Sequence, residues 1–299
     1  MSRSPVPARR SGVDELRDAG LDPAQVQATV EAALREDLPG EDVTSVATLE
    51  PDAAGTAALV ARADGVVAGT AVADLVFRTV DPRVEVVRAV ADGDRVRRGD
   101  VLLRATGRLT SLLTAERTAL NFLCHLSGVA TATDRWVQAL AGTGARVRDT
   151  RKTTPGLRAL EKYAVRCGGG TNHRATLSDM ALVKDNHVLA AGGVVPAYRA
   201  VRARFPDVPV QVEVTTLDQL RELLAVGAPE ILLDNMSTET MAEAVRINGG
   251  RARLEASGGL TQDRAREVAR TGVDLIAVGA LTHSAPVLDI GMDLQGADA

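Results

Sequence analysis

The chain has 299 residues, a formal net charge of −4 and a hydrophobic fraction of 45%. This composition is typical of a globular protein with one large or two ordinary domains, and the acidic balance argues against nucleic acid or a membrane as the main partner. The two cysteines lack metal-ligand spacing and the pattern of a disulfide framework. Residues 1–20 read as a disordered tail without an apolar core of signal-peptide length, so a cytoplasmic protein is expected.

The first half is predicted to begin with a helix and to continue with short strands. Asp22 and Pro23 are a typical N-cap and first residue for a helix over residues 23–35. The acidic stretch 36–45 lacks calcium-loop spacing and is expected to be a solvated connection. From residue 55 to 108, β-branched segments separated by Gly, Asp and Pro predict four strands around one helix. The strands are 56–63, 65–69, 84–89 and 101–106, and the helix is 71–79.

A long helix is predicted over residues 109–141. Its first half is apolar on nearly every face, which indicates a buried helix. Arg117 lies on the same stripe as Leu113 and Leu120, and a charge in such a position needs a partner. Two alternatives remain open for Arg117 from the residues alone. One is an ion pair with Glu116 or another neighbour, and the other is an arginine aimed into a site, including one across a subunit interface.

Six strand-like runs alternate with helices in the second half, which predicts a βα repeat and a parallel sheet. The runs are 146–150, 180–184, 209–214, 230–234, 253–256 and 275–278. Every run ends in a charged or glycine-rich segment, whereas an open doubly wound sheet concentrates its ligands at one switch point. The residues therefore favour a closed barrel with a single mouth. The ends are Arg151 and Lys152, Lys184, Glu213, Asp234, Ser257 to Gly259, and Gly279.

The last two strand ends predict a phosphate site. Small residues at Ser257, Gly258 and Gly259, and again around Gly279, allow backbone amides to approach an anion. In barrels the loops after the last two strands often form such a site. His283 follows one turn later and can add a donor. The Ser257–Gly259 motif alone is weak evidence for a phosphate site, and the second small-residue segment at Gly279, one βα unit later, strengthens the prediction.

Residues 149–174 carry a cationic pair at each end of one strand–helix unit. Arg151 and Lys152 lie at one end, and His173 and Arg174 lie at the other. Only three of the 35 basic side chains are lysine, namely Lys152, Lys162 and Lys184. Where arginine is the default cation, a retained lysine suggests that a compact point charge is required. This region predicts a pocket for a multiply charged anion.

Two carboxylates complete the predicted site. Glu213 and Asp234 end neighbouring strands, where they can hold Mg²⁺ through water or bind sugar hydroxyls. Together with the cations and the glycine turns, they suit a substrate that carries phosphate, ribose and pyrophosphate. The chain has neither a P-loop nor a dinucleotide-binding fingerprint.

Several long motifs resemble the quinolinate phosphoribosyltransferase family over residues 25–293. They include EDLPGEDVTS, LTAERTALNFLCHLSGVAT, DTRKTTPGLRALEKYAVRCGGGTNHR, LSDMALVKDNH, EVTT, LLDNM, EASGG and LIAVGALTHSAPVLDIG. The resemblance implies an N-terminal α/β sandwich domain over residues 21–130, including the linking helix, and a C-terminal incomplete (β/α) barrel over residues 131–299. It also implies a dimer or hexamer with the site at a subunit interface. The reaction would convert quinolinate and phosphoribosyl pyrophosphate to nicotinate mononucleotide, pyrophosphate and CO₂, with Mg²⁺, in NAD biosynthesis.

The resemblance also implies roles for individual residues. Arg151, His173, Arg174 and Lys184 would line the quinolinate pocket, with Arg117 donated by another subunit. Lys152 would contact the phosphoribosyl donor, and Glu213 and Asp234 would lie by the ribose and Mg²⁺. The residues of the 5′-phosphate site would be Ser257, Gly258, Gly259, Gly279 and His283, and further substrate contacts would come from Thr150, Val278 and Ala280. Lys152, Lys184, Glu213 and Asp234 are the expected catalytic residues.

Three other functions are alternatives to this hypothesis. A barrel lyase would use Lys184 or Lys152 as a Schiff base, and borohydride would trap its adduct, but it leaves the two-anion pocket unexplained. A related transferase would act on a different ring carboxylate, and assays with quinolinate and nicotinate would separate the two. A sensor for a phosphorylated ligand would bind without turnover, and no segment of the chain resembles an output module.

Overall fold

The computed structural model describes residues 12–295, and these divide into two compact units. The first unit contains 12–131, 159–167 and 286–295, and the second contains 132–158 and 168–285. Among the described helices, none is long and apolar enough to span a membrane. The mixed α/β fold class agrees with the prediction.

The first unit is built on a four-stranded antiparallel sheet with the order β12-β1-β5-β3. Leu59 on the central strand lies opposite Leu103 on one side and Met292 on the other, and both Leu59 and Leu103 are fully buried. A two-stranded ribbon of β2 and β4 accompanies the sheet. The strands are β1 (Ala54–Ala61), β2 (Gly65–Val66), β3 (Glu85–Arg88), β4 (Arg95–Val96), β5 (Val101–Arg108) and β12 (Ile290–Gln295).

Helices pack around this sheet through their apolar faces. In α2 the Asp22 side chain accepts a hydrogen bond from the Ala24 N–H and Pro23 occupies the first turn, so the predicted N-cap is confirmed. In α4, Val76 and Phe77 are fully buried. The helices are α1 (Gly12–Asp18), α2 (Pro23–Asp37), α3 (Val43–Thr48), α4 (Thr70–Val80), α5 (Leu109–Ala139) and α6 (Arg158–Cys167).

Two parts of the predicted domain organisation need correction. Residues 12–18 of the expected tail form α1, because Leu16 is buried and Glu15 makes an ion pair with Arg88. Residues 1–11 of that tail lie outside the described part of the chain. The C-terminal strand β12 belongs to the first sheet, where it pairs with β1, although the prediction placed all of 131–299 in the barrel. The α6 segment 159–167 also belongs to the first unit.

Gly128 is a point at which α5 closely approaches the backbone before β12. A Cβ at this position would lie 2.3 Å from the Pro286 carbonyl oxygen and 2.8 Å from the Val287 Cα. Backbone atoms cannot move aside easily, so the clash outweighs the gain of about 1 kcal/mol in helix propensity. We expect Gly128→Ala to lower the free energy of unfolding by about 1 to 3 kcal/mol in urea titrations. Gly40→Ala, whose Cβ would meet no atom within 4 Å, is the matched control, and equal losses in the two variants would contradict the packing argument.

The second unit contains a six-stranded parallel sheet with the order β6-β11-β10-β9-β8-β7. The sheet of the described residues has β6 and β7 at its two ends, so the barrel is incomplete, as the family resemblance implies, and not closed, as the strand ends alone suggested. The free edge of β6 is occupied in part by Thr171, which bridges to Arg148. The strands are β6 (Arg146–Arg148), β7 (Ala181–Val183), β8 (Val210–Val214), β9 (Glu230–Asp234), β10 (Arg253–Ser257) and β11 (Leu275–Ala277).

Short capped helices follow these strands. The α9 helix begins with a capping box of Thr216 and Gln219, and Ser237 caps α10. Because all six strands are parallel, their carboxyl ends lie at one edge of the sheet. The helices are α7 (Asp185–Ala191), α8 (Val194–Arg204), α9 (Leu217–Ala225), α10 (Thr238–Asn248), α11 (Ala265–Ala269) and α12 (Ala280–His283), with a 3₁₀ turn over Gln262–Arg264.

Candidate active site

A cavity of about 480 Å³ opens at the carboxyl ends of the strands in the second unit. It brings together predicted residues that are far apart in the sequence, because most of them follow or end parallel strands. His173 and Arg174 instead lie in the segment between Thr171, which bridges to Arg148 of β6, and β7. In particular, Arg174, Lys184 and Ser257 line the same cavity. The lining residues are Thr150, Arg151, Lys152, His173, Arg174, Leu182, Lys184, Asp185, Glu213, Leu232, Asp234, Glu255, Ser257 and Ala277.

Two guanidinium groups form the cationic part of the cavity. The Nε atoms of Arg151 and Arg174 are both buried and have no hydrogen-bond partner among the described residues. One terminal nitrogen of Arg174 donates to the Met180 carbonyl at 2.8 Å. Burial, followed by repulsion from Arg151, lowers the pKa of Arg174 from its ordinary value. Two half-buried, mutually repelling cations with buried, unused Nε donors are suited to a ligand with more than one carboxylate.

His173 is fixed by hydrogen bonds to the protein at both ring nitrogens. Its Nδ1 accepts from the Arg174 backbone N–H at 2.7 Å, and its Nε2 lies 2.8 Å from the Gln211 Oε1. Since Nδ1 accepts, Nε2 carries the proton and donates to Gln211. The His173 backbone N–H also donates to Asp149 at 2.7 Å. The imidazole therefore lines the cavity in one fixed orientation and tautomer.

Glu213 and Asp234 also line the cavity, and Glu213 is close enough to Lys184 and Lys152 to interact with both electrostatically. Burial raises the pKa of Glu213, and the neighbouring Asp234 raises it further, while Lys184 and Lys152 act in the opposite direction. Two adjacent carboxylates repel each other unless a cation lies between them, and Mg²⁺ often uses one or two carboxylates with water and substrate phosphates. Within residues 12–295, no group of three His, Cys, Asp or Glu side chains could hold a metal. The pair therefore fits a partly hydrated Mg²⁺ and not an all-protein metal site.

The raised pKa of Glu213 predicts a stability effect with a defined sign. A carboxyl with a higher pKa in the folded state favours folding only while it is protonated, and it loses this advantage as pH rises through the folded pKa. We therefore expect Glu213→Gln, in metal-free buffer, to have a higher melting temperature than the unmodified protein at neutral pH. The difference should disappear near about pH 4, where glutamate is largely protonated in both states. A constant difference across this range would contradict the electrostatic origin.

The glycine turns lie next to the cavity. Gly258 has φ +103°, and a Cβ there would lie 2.2 Å from the Asn235 Oδ1, so only glycine fits. Gly279 lies against Lys152 and His283, because its Cβ would be 3.1 Å from a side-chain atom of each. Six predicted substrate-binding residues of the second unit are outside the cavity lining: Gly258, Gly259, Gly279 and His283 of the phosphate site, and Val278 and Ala280. Of these, Gly279 and His283 adjoin it through Lys152.

Arg117 lies on α5 in the first unit and its side chain is exposed. It is therefore not part of the second-unit cavity lining, and its role at a site shared between subunits stays a prediction.

A buried polar layer below the cavity was not predicted. Arg148 donates to Glu230 at 2.6 Å and to Glu255 at 2.7 Å, and Gln211 donates to the same two carboxylates at 3.2 and 3.0 Å. Gln211 also accepts from His173, so the layer connects to the cavity wall. The sequence contained one signal for this layer, because alternate residues of a strand lie on the same face. Gln211 is two residues from the predicted site residue Glu213 on β8, and Glu230 is four residues from Asp234 on β9, so each pair shares a face.

Comparison with known proteins places the chain in a family. The model of the quinolinate phosphoribosyl transferase C-terminal domain matches residues 129–293, and the model of the N-terminal domain matches residues 42–127. A nicotinate-nucleotide pyrophosphorylase [carboxylating] from Mycobacterium leprae is 51% identical over 272 residues, which cover 89% of this chain and 96% of the relative. The chain belongs to the quinolinate phosphoribosyl transferase family.

Solved structures of quinolinate phosphoribosyl transferase relatives have the same fold. NadC from Streptococcus pyogenes matches with a TM-score of 0.88 at 42% identity, covering 92% of this chain and 99% of that one. The nicotinate-nucleotide pyrophosphorylase from Francisella tularensis matches with a TM-score of 0.88 at 37% identity, covering 91% and 96%. The family resemblance inferred from the motifs is thereby confirmed.

Proposed function

We propose that this chain transfers the phosphoribosyl group of phosphoribosyl pyrophosphate to quinolinate with loss of CO₂, giving nicotinate mononucleotide and pyrophosphate. One observation carries the proposal: a single cavity holds unused guanidinium donors, a carboxylate pair and the edge of the glycine turns. The names of the relatives, carboxylating nicotinate-nucleotide pyrophosphorylases, support the same activity.

The cationic part of the cavity suits quinolinate. Quinolinate is a dianion at neutral pH, and burying it requires compensating positive charge. Arg151 and Arg174 have unpaired buried donors, and forked guanidinium groups bind carboxylates well. Lys184 adds a point charge, while His173, held by Gln211, gives the cavity wall a fixed shape.

A second group of residues in and beside the cavity suits the phosphoribosyl donor. Lys152, Gly279 and His283 lie together and would contact the phosphate end of this substrate. Glu213 and Asp234 would hold the ribose hydroxyls and a hydrated Mg²⁺, which when bound would neutralise charge on the leaving pyrophosphate. The same two carboxylates would favour the positive charge that develops on the ribose.

The chemistry follows from the substrates. The ring nitrogen of quinolinate has a free lone pair and attacks C1′ without a general base as pyrophosphate leaves. Alkylation makes this nitrogen cationic. The positive charge then stabilises the electron pair left on the adjacent carbon C2 when its carboxylate departs as CO₂. The protein contributes orientation and charge compensation in a partly closed cavity.

We further propose a cytoplasmic homodimer or hexamer in which Arg117 of one copy completes the quinolinate pocket of another. The exposed position of Arg117 on a largely buried helix supports this arrangement.

Pyrophosphate release tests the proposed function directly. The purified protein should release pyrophosphate and CO₂ in equal amounts from quinolinate and phosphoribosyl pyrophosphate, and should do so only with Mg²⁺. Nicotinate in place of quinolinate separates this activity from that of a related transferase. Pyrophosphate release with nicotinate alone, or a substrate adduct trapped by borohydride on Lys184 or Lys152, would contradict the proposal.

A further inference from the structure

The proposed reaction needs a proton that none of the residue roles above supplies. Loss of CO₂ leaves an electron pair on C2 of the ring, and the product carries hydrogen at that carbon. Water or a protein acid must deliver this proton before CO₂ can add back. An acid for this step should lie in the cavity wall and be shielded from solvent, because shielding keeps a carboxyl protonated near neutral pH.

Glu255 on β10 has these properties. It lines the cavity, its side chain is fully buried, and its Oε1 has no hydrogen-bond partner among the described residues. The second oxygen, Oε2, is held by Arg148 at 2.7 Å and by Gln211 at 3.0 Å. The carboxyl group is thus fixed through one oxygen, and the other is unengaged.

The other carboxyls in the cavity lining differ from Glu255. Glu213 is only partly buried and interacts with Asp234 and two lysines, in the part of the cavity assigned to the ribose and Mg²⁺. Asp185 is exposed at the start of α7. Glu255 instead lies near the quinolinate side, with Oε1 3.9 Å from the Nε2 of His173, which directly precedes Arg174.

We propose that Glu255 supplies the proton that replaces the departing carboxylate at C2 of quinolinate. The inference rests on the proposed function. The bond between C2 and its carboxylate carbon breaks, CO₂ leaves and the electron pair stays on C2. That pair then takes the proton from the Glu255 hydroxyl to form the C2–H bond. Glu255 is left as a carboxylate beside Arg148 and regains a proton from solvent after the product leaves.

The charges around Glu255 are consistent with a protonated carboxyl in the substrate complex. Burial is the largest influence and raises its pKa, with a further contribution from Glu230 on β9, while Arg148 on β6 and Gln211 on β8 act in the opposite direction. The neighbouring strand β11 contributes only the apolar residues 275–277. His173 is held with its proton directed to Gln211. The cavity cations Arg151, Arg174 and Lys184 would be balanced by the bound dianion, whose charge further disfavours a carboxylate at 255.

The test uses Glu255→Gln, which keeps the size and polarity of the side chain but cannot donate the proton. Glu230→Gln is the matched control, because Glu230 accepts from the same Arg148 and Gln211 groups but does not line the cavity. We expect Glu255→Gln to lower kcat by about 10² or more, the usual contribution of a general acid. The Kd for quinolinate should change by less than about threefold, because the bound state loses no charge.

A second readout separates proton transfer from structural support. The protein is incubated with nicotinate mononucleotide in D₂O, and loss of the ring H2 signal is followed by proton NMR. By reversibility, the Glu255 carboxylate should remove H2 and accelerate its exchange above the rate in buffer. Glu230→Gln should exchange within about threefold of the unmodified protein, and Glu255→Gln should exchange at the buffer rate.

Three outcomes would overturn the proposal. They are equal exchange in Glu255→Gln and the unmodified protein, no accelerated exchange in the unmodified protein, and equal loss of exchange in Glu230→Gln and Glu255→Gln. Failure of the proposed function is seen separately, since the unmodified protein would then release no pyrophosphate from quinolinate and phosphoribosyl pyrophosphate.

Discussion

Replacing Arg174 with alanine should raise the KM for quinolinate far more than the KM for phosphoribosyl pyrophosphate. Removing one partner from a buried, charged contact costs about 2 to 4 kcal/mol, equivalent to about 30- to 700-fold in KM. The effect should fall on quinolinate, because Arg174 and Arg151 carry the unused guanidinium donors of the cavity lining, and such donors bind carboxylates. Initial rates measured while each substrate is varied in turn would give both constants.

A surface arginine of the same unit provides the control for Arg174. Arg199 on α8 is exposed and does not line the cavity, so Arg199→Ala should leave both KM values within about twofold. Arg174→Lys tests the forked geometry, since an ammonium group restores the charge but not bidentate binding. A similar rise in both KM values for Arg174→Ala would count against a quinolinate-specific role.

Replacing Asp234 with asparagine should lower kcat by about 10²- to 10³-fold, the size expected when one oriented electrostatic contact to a transition state is removed. Asp234 lies close enough to Glu213 to raise its pKa, and the two carboxylates together favour positive charge on the ribose and on a bound Mg²⁺. The Mg²⁺ concentration that gives half-maximal rate should also rise. Both quantities are obtained from pyrophosphate release at a series of Mg²⁺ concentrations.

The control for Asp234→Asn is Asp207→Asn, because Asp207 is an exposed aspartate in the turn before β8. This variant loses the same formal charge without touching the cavity, so its kcat and Mg²⁺ response should be unchanged. If Asp234→Asn lowered only the affinity for Mg²⁺ and left kcat at saturating metal intact, the transition-state role would be wrong and a metal-binding role alone would remain.

The parallel strands were predictable because their hydrophobic runs are short, β-branched and bounded by turn residues. The run 230–234 agrees with β9 at both ends, and 253–256 differs from β10 by one residue. The cavity residues were predictable for a related reason. Parallel strands have their carboxyl ends at the same edge of the sheet, so residues that end different strands in the sequence are expected to lie close together in the fold. Family motifs added the roles of individual residues.

The buried polar layer was missed because a sequence pattern predicts burial from hydrophobic side chains and gives no such signal for polar ones. Gln211 and Glu255 are fully buried, but each is an ordinary polar interruption when a strand is read in isolation. Their burial is tolerated because they are hydrogen-bonded to each other, and Arg148 from another strand donates to both Glu255 and Glu230. Such compensation joins residues separated by 82 and 107 positions in the sequence, and no local pattern reveals it.

The C-terminal strand was missed because it has little of the usual strand signal. Only Ile290 of β12 is buried, and the last three residues of the strand are exposed. Its position depends on pairing with β1, more than two hundred residues earlier, as in the Thr56–Gln295 pair. Helix α3 was also missed, and its first three residues were included in the predicted connection 36–45. The helix has only six residues, although Asp42 caps it as a typical N-cap residue would.

The pairing of β12 with β1 constrains how the protein can fold during translation. One edge of β1 lacks its partner until β12, more than two hundred residues later, has been made, so the first sheet stays incomplete while the strands of the second unit are already being synthesised. Contacts over such a sequence distance also form slowly. During this interval β1 presents an unpaired edge, which is a template for pairing with other chains until β12 covers it.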